Sequence, residues 1–507
     1  MKKRFLPLLV LLFALLGVVM IAPRLLDWIM KPTEVPTETT VSTEMVPTET
    51  LEPATEPTEA EPTTEDRPYG PGYYPTEPTT EAYDPGPPVD REKVETKLLF
   101  ASDIHYLASN LTDYGQAFDG MINNSDGRVL RYLPEIWQAF TEEVIAADPE
   151  ALILSGDLTL NGEKASHQEL AGQLAKIEAA GISVLVIPGN HDINNPYATQ
   201  YFGDSTSPVP PVSPEEFAEI YGAFGYEEAV SHAPDSLSYL YVLNETTWML
   251  MLDSCIYEED FEIDGEIKTE TFEWMEQCLR DAYAQGITVI PVAHHNLQEL
   301  SRVYVEECVI RNREEVLDLL ELYLTPAFFS GHLHVQTVHK HMIGPGMPES
   351  MYGITEIVSN SLVIPPCQYG QLELHTNGTM SYHTINTDIS GWAKRHRKTN
   401  PDLLEFSAFS NEHIRSVISG QTYSDIDYMP EDMKALMVEF YADLYKDYYT
   451  GAQINYDERI HEKGYEVWER FRGHTSQFRQ IEGMLKDSMA NNNNAEIPNP
   501  VYQEWVR

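Results

Sequence analysis

The sequence predicts an α/β fold, a two-layer sandwich flanked by helices, followed by a helical C-terminal region. Short apolar runs rich in β-branched residues alternate with stretches of helical periodicity, which is typical of a largely buried sheet with covering helices. Polar clusters directly follow several of these runs, and open α/β sheets keep their functional sites at this end of the strands. The hydrophobic fraction of 42% and the aromatic fraction of 10% are those of a globular protein.

The N-terminus carries a membrane-targeting signal. Lys2, Lys3 and Arg4 precede an apolar stretch of about 18 residues, which is the lower limit for crossing a bilayer. Basic residues on the N-terminal side predict that the remainder lies outside the cytoplasm. We therefore predict that residues 1–30 are a retained helix that anchors the protein in the cell membrane. The alternative is a cleaved signal peptide, which would release the protein as a secreted form.

A disordered stalk is predicted at residues 31–92. The motif Pro-Thr-Glu recurs there, beginning with Pro32-Thr33-Glu34, and such a sequence has almost nothing to bury. Prolines and like charges keep a segment of this kind extended. It is typical of a spacer that holds a domain away from a membrane. The globular domain is then expected at residues 93–390 and the helical region at residues 391–507.

The first half of the globular domain is predicted to contain three buried strands separated by helices. Each strand is a short apolar run that ends in a glycine or an aspartate motif, and each helix has an amphipathic pattern. The predicted strands lie at 97–101, 151–154 and 183–187, and the predicted helices lie at 129–146 and 165–180.

The pattern changes in the second half of the domain. Ser213 is a predicted helix N-cap, with Pro214 in the first turn and Glu216 completing a capping box. Asn377-Gly378 predicts the turn of a β-hairpin. The remaining predicted strands lie at 237–242, 248–252, 287–292, 327–329, 354–358, 372–375 and 380–384, and the remaining helices at 270–284 and 314–323.

Five short polar segments end predicted strands and carry the functional signal. They are Asp103-Ile104-His105, Gly156-Asp157, Gly189-Asn190-His191-Asp192, His294-His295 and Gly331-His332-Leu333-His334. Together they supply enough carboxylate, imidazole and amide oxygen for two adjacent divalent metal ions, and two-metal sites of this kind hydrolyse phosphate esters. Asp-x-His and Gly-Asp are weak signals alone, whereas Gly-Asn-His-Asp and Gly-His-x-His are stronger ones. Five such segments at strand ends are hard to obtain by chance.

The residue types indicate which metal ions are expected. Asp103 and His105 are separated by one residue on a segment that we expect to be extended, so both side chains should point to the same face. His332 and His334 have the same spacing. Oxygen and nitrogen donors together suit borderline ions such as zinc, manganese or iron. The Asp157 carboxylate, at a sharp turn after glycine, can bridge two ions.

Four further side chains have predicted parts in this chemistry. Asn190 offers a neutral carbonyl oxygen, which avoids adding another negative charge to the ligand set. His191 lies beside a ligand without being needed as one, and could stabilise the developing charge or protonate the leaving oxygen. Asp192 and His295 are candidates for supporting the neighbouring ligands without binding metal.

The five segments resemble those of the calcineurin-like metallophosphoesterase superfamily. Ser155-Gly156-Asp157-Leu158-Thr159 and Pro188-Gly189-Asn190-His191-Asp192 are similar to the motifs of its bacterial cyclic-nucleotide-phosphodiesterase-like branch. The resemblance covers residues 94–388 and implies a β-sandwich core with helices on both outer faces. It implies one metal ion held by Asp103, His105, Asp157 and His334, a second held by Asp157, Asn190, His294 and His332, and His191 as the catalytic histidine.

Only one residue of the pair His294-His295 should be a ligand. The family's ligand is the first residue after the strand, so the resemblance favours His294.

The predicted function is an extracytoplasmic hydrolase that uses two divalent metal ions and a metal-bridging water to cleave a small phosphate ester, a diester more readily than a monoester. The alternative is a membrane-tethered surface protein for binding or sensing, with a catalytically silent phosphoesterase domain. The formal net charge of -47 repels polyanions, so nucleic acid is not an expected partner. The sequence leaves the oligomeric state undetermined.

The C-terminal region has a helical pattern without a catalytic motif. Apolar residues at helical spacing over 433–448 predict one helix, and Trp468 and Phe471 predict a second. We expect a helical appendage packed on the phosphoesterase domain, and the alternative is a lid or specificity element beside the metals. The four cysteines of the chain are widely spaced, so buried free thiols are favoured over two disulfides.

Overall fold

The structure is a computed structural model that describes residues 96–258, 261–341, 353–473 and 475–505. The anchor predicted at 1–30 and the stalk predicted at 31–92 lie outside the described residues. Within the four described ranges, no helix combines the length and apolar character needed to cross a membrane.

Two mixed β-sheets form the centre of the fold. The strands are β1 (Thr96–Ala101), β2 (Ala151–Ser155), β3 (Ser183–Ile187), β4 (Thr199–Phe202), β5 (Ser205–Pro208), β6 (Ser231–His232), β7 (Tyr239–Asn244), β8 (Thr247–Met251), β9 (Thr288–Val292), β10 (Ala327–Ser330), β11 (Thr337–Lys340), β12 (Thr355–Val358), β13 (Gln368–Leu374), β14 (Thr379–Asn386) and β15 (Asn494–Pro498). The first sheet has the strand order β15-β14-β13-β1-β2-β3, the second has the order β11-β12-β10-β9-β8-β7-β6, and β4 and β5 form a separate hairpin.

Parallel strands occupy one part of each sheet. In the first sheet β1, β2 and β3 are parallel neighbours, with Leu99 opposite Leu152 and Leu152 opposite Val184. In the second sheet β8, β9, β10 and β12 are parallel in the same way. Parallel strands need crossover connections, which the intervening helices provide. The predicted hairpin at Asn377-Gly378 is confirmed, because β13 and β14 are antiparallel neighbours.

Helices cover the sheets and build the C-terminal region. The predicted capping box at Ser213 is present, with its hydroxyl accepting from the backbone N–H of Glu216. The helices are α1 (Gln116–Asn123), α2 (Leu133–Ala147), α3 (Lys164–Glu178), α4 (Pro214–Tyr221), α5 (Thr269–Ala284), α6 (Arg313–Leu322), α7 (Ile389–Arg395), α8 (Pro401–Leu404), α9 (Phe406–Asp425), α10 (Glu431–Tyr449), α11 (Tyr456–Arg459), α12 (Lys463–Arg470), α13 (Gln477–Asp487) and α14 (Pro500–Trp505).

The two sheets pack face to face, which confirms the predicted β-sandwich core. Phe100 of β1 and Phe329 of β10 stack with their ring centroids 3.7 Å apart and their planes at 6°. The Tyr239 hydroxyl of β7 donates to the backbone oxygen of Val186 in β3 at 3.0 Å, which also joins the sheets. Helices α2 and α3 pack into this core from the first sheet, whereas α5 and α6 share an apolar cluster with the second sheet.

The C-terminal region is helical as predicted, with one strand added. Its largest apolar cluster includes the fully buried Trp468 together with Leu333 and Val335 of the loop after β10, so the region packs directly on the two-sheet domain. Strand β15 interrupts the helices and pairs with β14, and its Ile497 is buried. The polar composition of this segment gave no strand signal, and the free edge of β14 explains the pairing. All four cysteines are buried free thiols, as expected.

A buried carboxyl group holds the loop that follows β9. Glu356 of β12 is inaccessible to solvent, and its carboxyl oxygens accept from the backbone N–H groups of Leu297 and Gln298, each at 2.8 Å. The Ser330 hydroxyl at the end of β10 also donates to Glu356, at 2.9 Å. Burial raises the pKa of Glu356 to about 7, because desolvation outweighs these hydrogen bonds.

We predict that Glu356 makes the stability of the protein depend on pH. Its pKa is raised above the unfolded value, so the folded protein holds the proton more tightly and loses stability as pH rises from about 4.5 to about 7. Glu356→Gln removes this contribution. The difference in melting temperature between variant and wild type should therefore shift in favour of the variant between about pH 5 and pH 8. Glu314→Gln, at an exposed position, is the control, and a pH-independent difference for Glu356→Gln would contradict the prediction.

Candidate metal centre

The predicted motifs converge at the carboxyl ends of strands from both sheets. Asp103, Asp157 and Asn190 follow β1, β2 and β3, whereas His294 and His332 follow β9 and β10. Because the sheets pack face to face, these strand ends meet at one edge of the sandwich. All seven predicted ligands are buried there, with none more than 6% exposed.

The first group of ligand atoms lies between β1, β2 and the loop after β10. Asp103, His105, Asp157 and His334 each present an atom able to bind metal, and these atoms all lie within 4.8 Å of one another. His105 Nε2 and His334 Nε2 are 2.9 Å apart, and His334 Nε2 is 3.2 Å from Asp103 Oδ1. This group matches the first ligand set implied by the sequence.

A second group lies next to the first and shares Asp157 with it. Asn190 Oδ1 is 3.0 Å from His294 Nε2 and 2.9 Å from His332 Nδ1. His294 Nε2 is also 3.4 Å from Asp157 Oδ1, whereas the other carboxylate oxygen, Oδ2, is 3.8 Å from His105 Nε2 in the first group. Asp157 therefore presents one oxygen to each group.

The hydrogen bonds on the outer side of the second group fix which nitrogen atoms face inward. The backbone oxygen of Ser155 accepts from His294 Nδ1 at 2.9 Å, and that of Glu307 accepts from His332 Nε2 at 2.8 Å. The inward atoms His294 Nε2 and His332 Nδ1 are 3.2 Å apart and face Asn190 Oδ1. Lone pairs that face one another at these distances repel, and a divalent cation between them removes the conflict. These donors therefore fit a metal ion.

Charge in the first group also favours a cation. Burial by itself lowers the pKa of His334, but the carboxylates of Asp103 and Asp126 outweigh it and raise the pKa to about 9. Burial likewise acts to raise the pKa of Asp103, and the neighbouring His334 reverses this and holds it at about 2. In the second group, burial lowers the pKa of His332 to about 4, which keeps that imidazole neutral.

Left-handed backbone conformations aim the ligands at the centre. Asp103, His105, Asp157, His332 and His334 have φ between 45° and 70°. The prediction of an extended backbone at Asp103-Ile104-His105 and at His332-Leu333-His334 is therefore wrong. All four side chains of these two segments nevertheless reach the centre. Such conformations cost about 1–3 kcal/mol each and persist only where the surroundings enforce them.

Two glycines allow the motif loops to approach each other closely. A Cβ atom at Gly189 would overlap the backbone nitrogen of Asp157, and one at Gly331 would overlap the Ser102 hydroxyl and Asp103. The glycines of the Gly-Asn-His-Asp and Gly-His-x-His motifs are therefore required by the packing of one motif on another.

His191 lies at the accessible side of the centre. Its Nδ1 donates to the backbone oxygen of Leu160 at 2.9 Å, so Nε2 is the atom turned toward the centre, 3.9 Å from Asp157 Oδ2. The side chain is 30% exposed, whereas the predicted ligands are nearly inaccessible. Burial lowers the pKa of His191, partly opposed by the charge of Asp157.

The two predicted supporting residues are fixed by protein hydrogen bonds. The Asp192 carboxylate accepts from the backbone N–H groups of Leu158, Thr159 and Gly189, which braces the Asp157 loop against the Asn190 loop. Both nitrogen atoms of the His295 ring are engaged by other groups, namely the Ser254 hydroxyl and the backbone oxygen of Ile263, each at 2.8 Å. His295 therefore has no nitrogen available for metal, which agrees with the choice of His294.

One acidic and one basic side chain at the centre were missed by the sequence analysis. Asp126 Oδ2 is 2.5 Å from His334 Nδ1, and Arg128 Nε donates to Asp126 Oδ1 at 2.8 Å. A carboxylate on the outer nitrogen of a ligating histidine orients the ring and increases its basicity. Asp126 and Arg128 lie in the loop between α1 and α2, not after a strand, so the strand-end pattern gave no signal for them.

The C-terminal region contacts the loop that carries His332 and His334. The backbone N–H of Gln336 donates to the backbone oxygen of Tyr449 at 3.1 Å, which attaches the end of α10 two residues beyond His334. The Asn360 side-chain amide also donates to Tyr449 O, at 3.3 Å.

Comparison with known protein families agrees with this geometry. Residues 96–336 match the family model of the calcineurin-like phosphoesterases, and residues 388–491 match that of the C-terminal domain of cyclic nucleotide phosphodiesterase. The chain therefore contains a metallophosphoesterase domain of the calcineurin-like family. A C-terminal domain of the second family follows it, and the predicted resemblance is confirmed.

Two curated relatives are similar to parts of the chain. A probable cyclic nucleotide phosphodiesterase of Xenorhabdus bovienii is 22% identical over 192 residues, which are 38% of this chain and 64% of that protein. A probable cyclic nucleotide phosphodiesterase of Ruthia magnifica subsp. Calyptogena magnifica is 45% identical over 53 residues, 10% of this chain and 21% of that protein. The chain thus matches less than two thirds of the length of either relative.

Solved structures with similarity include a dimetal phosphatase from Danio rerio, at 14% identity and a TM-score of 0.42, which covers 58% of this chain and 99% of that one. A structure of PhoD is 11% identical with a TM-score of 0.34, covering 57% of this chain and 65% of that one.

We predict that Asp126→Asn weakens metal binding without unfolding the protein. Asparagine cannot supply the negative charge that orients His334, and loss of such a partner lowers metal affinity about 10–100-fold. Calorimetric titration with zinc or manganese, together with metal analysis of the purified protein, measures the effect. Asp119→Asn is the control, because Asp119 pairs with Arg131 at the surface and its variant should keep wild-type affinity. Equal metal affinity in the two variants would contradict a supporting role for Asp126.

Proposed function

We propose that the protein is an extracytoplasmic hydrolase of small phosphate esters that works with two divalent metal ions and prefers phosphodiesters. The observation that carries this proposal is the Asp157 carboxylate, which offers one oxygen to each of two adjacent ligand groups in a metallophosphoesterase domain. Two divalent ions at such a centre activate a water molecule as nucleophile and bind the phosphoryl oxygens of the ester. The donor set suits zinc, manganese or iron.

His191 is the proposed proton-transferring residue. The Leu160 carbonyl holds its Nδ1 proton, so proton transfer to or from the ester must involve Nε2, the atom facing the centre. The Asn161 side-chain oxygen, 3.1 Å from Nδ1, is a second acceptor that keeps the proton on Nδ1. With both ring nitrogens protonated, His191 would donate the Nε2 proton to the leaving oxygen as the ester bond breaks and return to the neutral ring, or it would stabilise the charge that develops on the phosphoryl group.

The preference for a diester is supported by the relatives and by the C-terminal domain. Both curated relatives are named probable cyclic nucleotide phosphodiesterases, and residues 388–491 match a domain of that enzyme family. A small phosphodiester, nucleotide-containing or not, is therefore the proposed substrate class. The net charge of -47 argues against a nucleic acid polymer.

The proposed location is the outer side of the cell membrane. Support comes from the basic residues and apolar stretch within 1–30 and from the Pro-Thr-Glu repeats of 31–92, which suit an anchor followed by a spacer. Secretion after cleavage of the N-terminal segment is the alternative.

The first test is hydrolysis of a chromogenic phosphodiester and of the matching monoester, after the bound metals have been determined. Wild type should hydrolyse the diester faster, and His191→Ala should lower kcat by about 100- to 10,000-fold while it keeps its metal content. His232→Ala, at an exposed position of β6, is the control and should match wild type.

Two outcomes would contradict the proposal in different ways. Faster cleavage of the monoester would overturn the diester preference but keep the hydrolase. Full metal loading without turnover of either ester would favour the surface protein for binding or sensing.

A further inference from the structure

The loop between α1 and α2 brings an arginine to the metal centre. Arg128 and the ligand His334 lie on opposite sides of the Asp126 carboxylate, with Arg128 Nε 2.8 Å from Oδ1 and His334 Nδ1 2.5 Å from Oδ2. The Arg128 side chain is only 15% exposed. The Asp126 carboxylate thus links the Arg128 guanidinium to His334, a predicted metal ligand.

The charge of Arg128 acts on the charged groups of the centre. Burial opposes ionisation of Arg128, but the carboxylates of Asp126, Asp157 and Asp103 outweigh it and raise the pKa. Burial is the main cause that lowers the pKa of both His105 and His191, and the positive charge of Arg128 lowers both pKa values further. The guanidinium is therefore close enough to act electrostatically on the carboxylates of Asp103 and Asp157 and on the partly exposed His191.

Asp126 occupies only part of the hydrogen-bonding capacity of Arg128. Nε and Nη2 contact Asp126, the latter at 3.4 Å, and within the described part of the chain Nη1 donates no hydrogen bond. A guanidinium has five N–H donors in a planar fork that matches the oxygens of a phosphate group.

The C-terminal domain holds the loop that carries Arg128. The His413 ring on α9 donates to the backbone oxygen of Arg128 at 3.1 Å, and the Gln421 side chain donates to the backbone oxygen of Ser125 at 2.7 Å. Ile414 packs so closely on Gly127 that a Cβ atom there would lie 2.5 Å from its side chain. Helix α9 thus contacts the loop at three residues, Ser125, Gly127 and Arg128.

We propose that Arg128 binds the non-bridging oxygens of the phosphate group of the substrate and that helix α9 positions Arg128 for this contact. The inference rests on the proposed phosphoesterase function and assigns a substrate-binding residue and a role for the C-terminal domain. Arg128 adds a permanent positive charge that does not depend on which metal is bound. It acts by direct contact, whereas His413 and Gln421 act as positioning residues.

The test measures binding of inorganic phosphate, a product of monoester cleavage and a mimic of the phosphoryl group, to the metal-loaded full-length protein by calorimetry. Arg128→Met should weaken phosphate binding about tenfold or more, the loss expected for hydrogen bonds to a charged group. Arg128→Lys, which keeps the charge but not the fork, should recover part of the affinity. Arg131→Met, three residues further along and paired with Asp119 at the surface, is the control and should bind phosphate as wild type does.

Metal content, measured on the same samples, separates direct binding from an effect through Asp126. Unchanged metal content with weakened phosphate binding supports the proposal. Loss of metal in Arg128→Met, with phosphate affinity restored at saturating metal, would mean that Arg128 only supports Asp126 and would overturn it. Unchanged phosphate affinity in both Arg128 variants would overturn it as well.

The positioning role of helix α9 is tested by combining a substitution in α9 with one at Arg128. Gln421→Leu should weaken phosphate binding in the wild-type background and have little further effect in Arg128→Met, because both changes remove the same contact. Gln453→Leu is the control, since Gln453 also donates to a backbone oxygen in the C-terminal domain, that of Met489. Additive effects of Gln421→Leu and Arg128→Met would overturn the positioning role of α9.

Phosphate binding does not require turnover, so this test can fail or succeed independently of the proposed function. Absent ester hydrolysis combined with Arg128-dependent phosphate binding would reject the enzyme and keep the phosphate site. Hydrolysis combined with Arg128-independent phosphate binding would keep the enzyme and reject the site.

Discussion

The candidate metal centre depends on the face-to-face packing of the two sheets. Phe100 and Phe329 stack across the sandwich, and each lies three residues before a metal-site residue, Asp103 in one sheet and His332 in the other. The contact that joins the sheets therefore also sets the distance between the two motifs. Gly331 lets the second loop rest on the first, since any side chain there would overlap Asp103. Strand order and core packing thus determine the position of the ligands before any metal binds.

The centre concentrates several unfavourable features that the surrounding fold must offset. Three features of the centre would each destabilise an isolated loop. They are the buried carboxylates, the lone pairs that face one another, and the non-glycine residues in left-handed backbone conformations. The contacts that offset these costs are hydrogen bonds made by residues that surround the predicted ligands. Asp192 braces two of the ligand loops, Glu356 holds the loop after β9, and the backbone oxygen of Ser155 orients His294. The stability of the site is therefore a property of these surrounding residues as much as of the ligands.

The C-terminal domain contacts two of the loops that form the site. The end of α10 is bonded to the loop after His334 through the backbone of Tyr449, and α9 holds the loop that carries Asp126 and Arg128. An appendage that merely covered apolar surface would not need contacts with both loops. This arrangement gives a physical reason for a phosphoesterase domain and this C-terminal domain to occur in one chain.

The sequence by itself determined the sandwich class, most strand positions and the ligand types, because these follow from local periodicity and from polar residues at strand ends. The family resemblance favoured His294 over His295, and the tertiary structure supplies the physical reason, because Ser254 and Ile263 engage both nitrogens of the His295 ring. Tertiary structure alone decided two things. It placed strand β15 on a free sheet edge, and it brought Asp126 and Arg128 to the centre from a loop. Each of these depends on contacts between residues far apart in the chain, which no local pattern encodes.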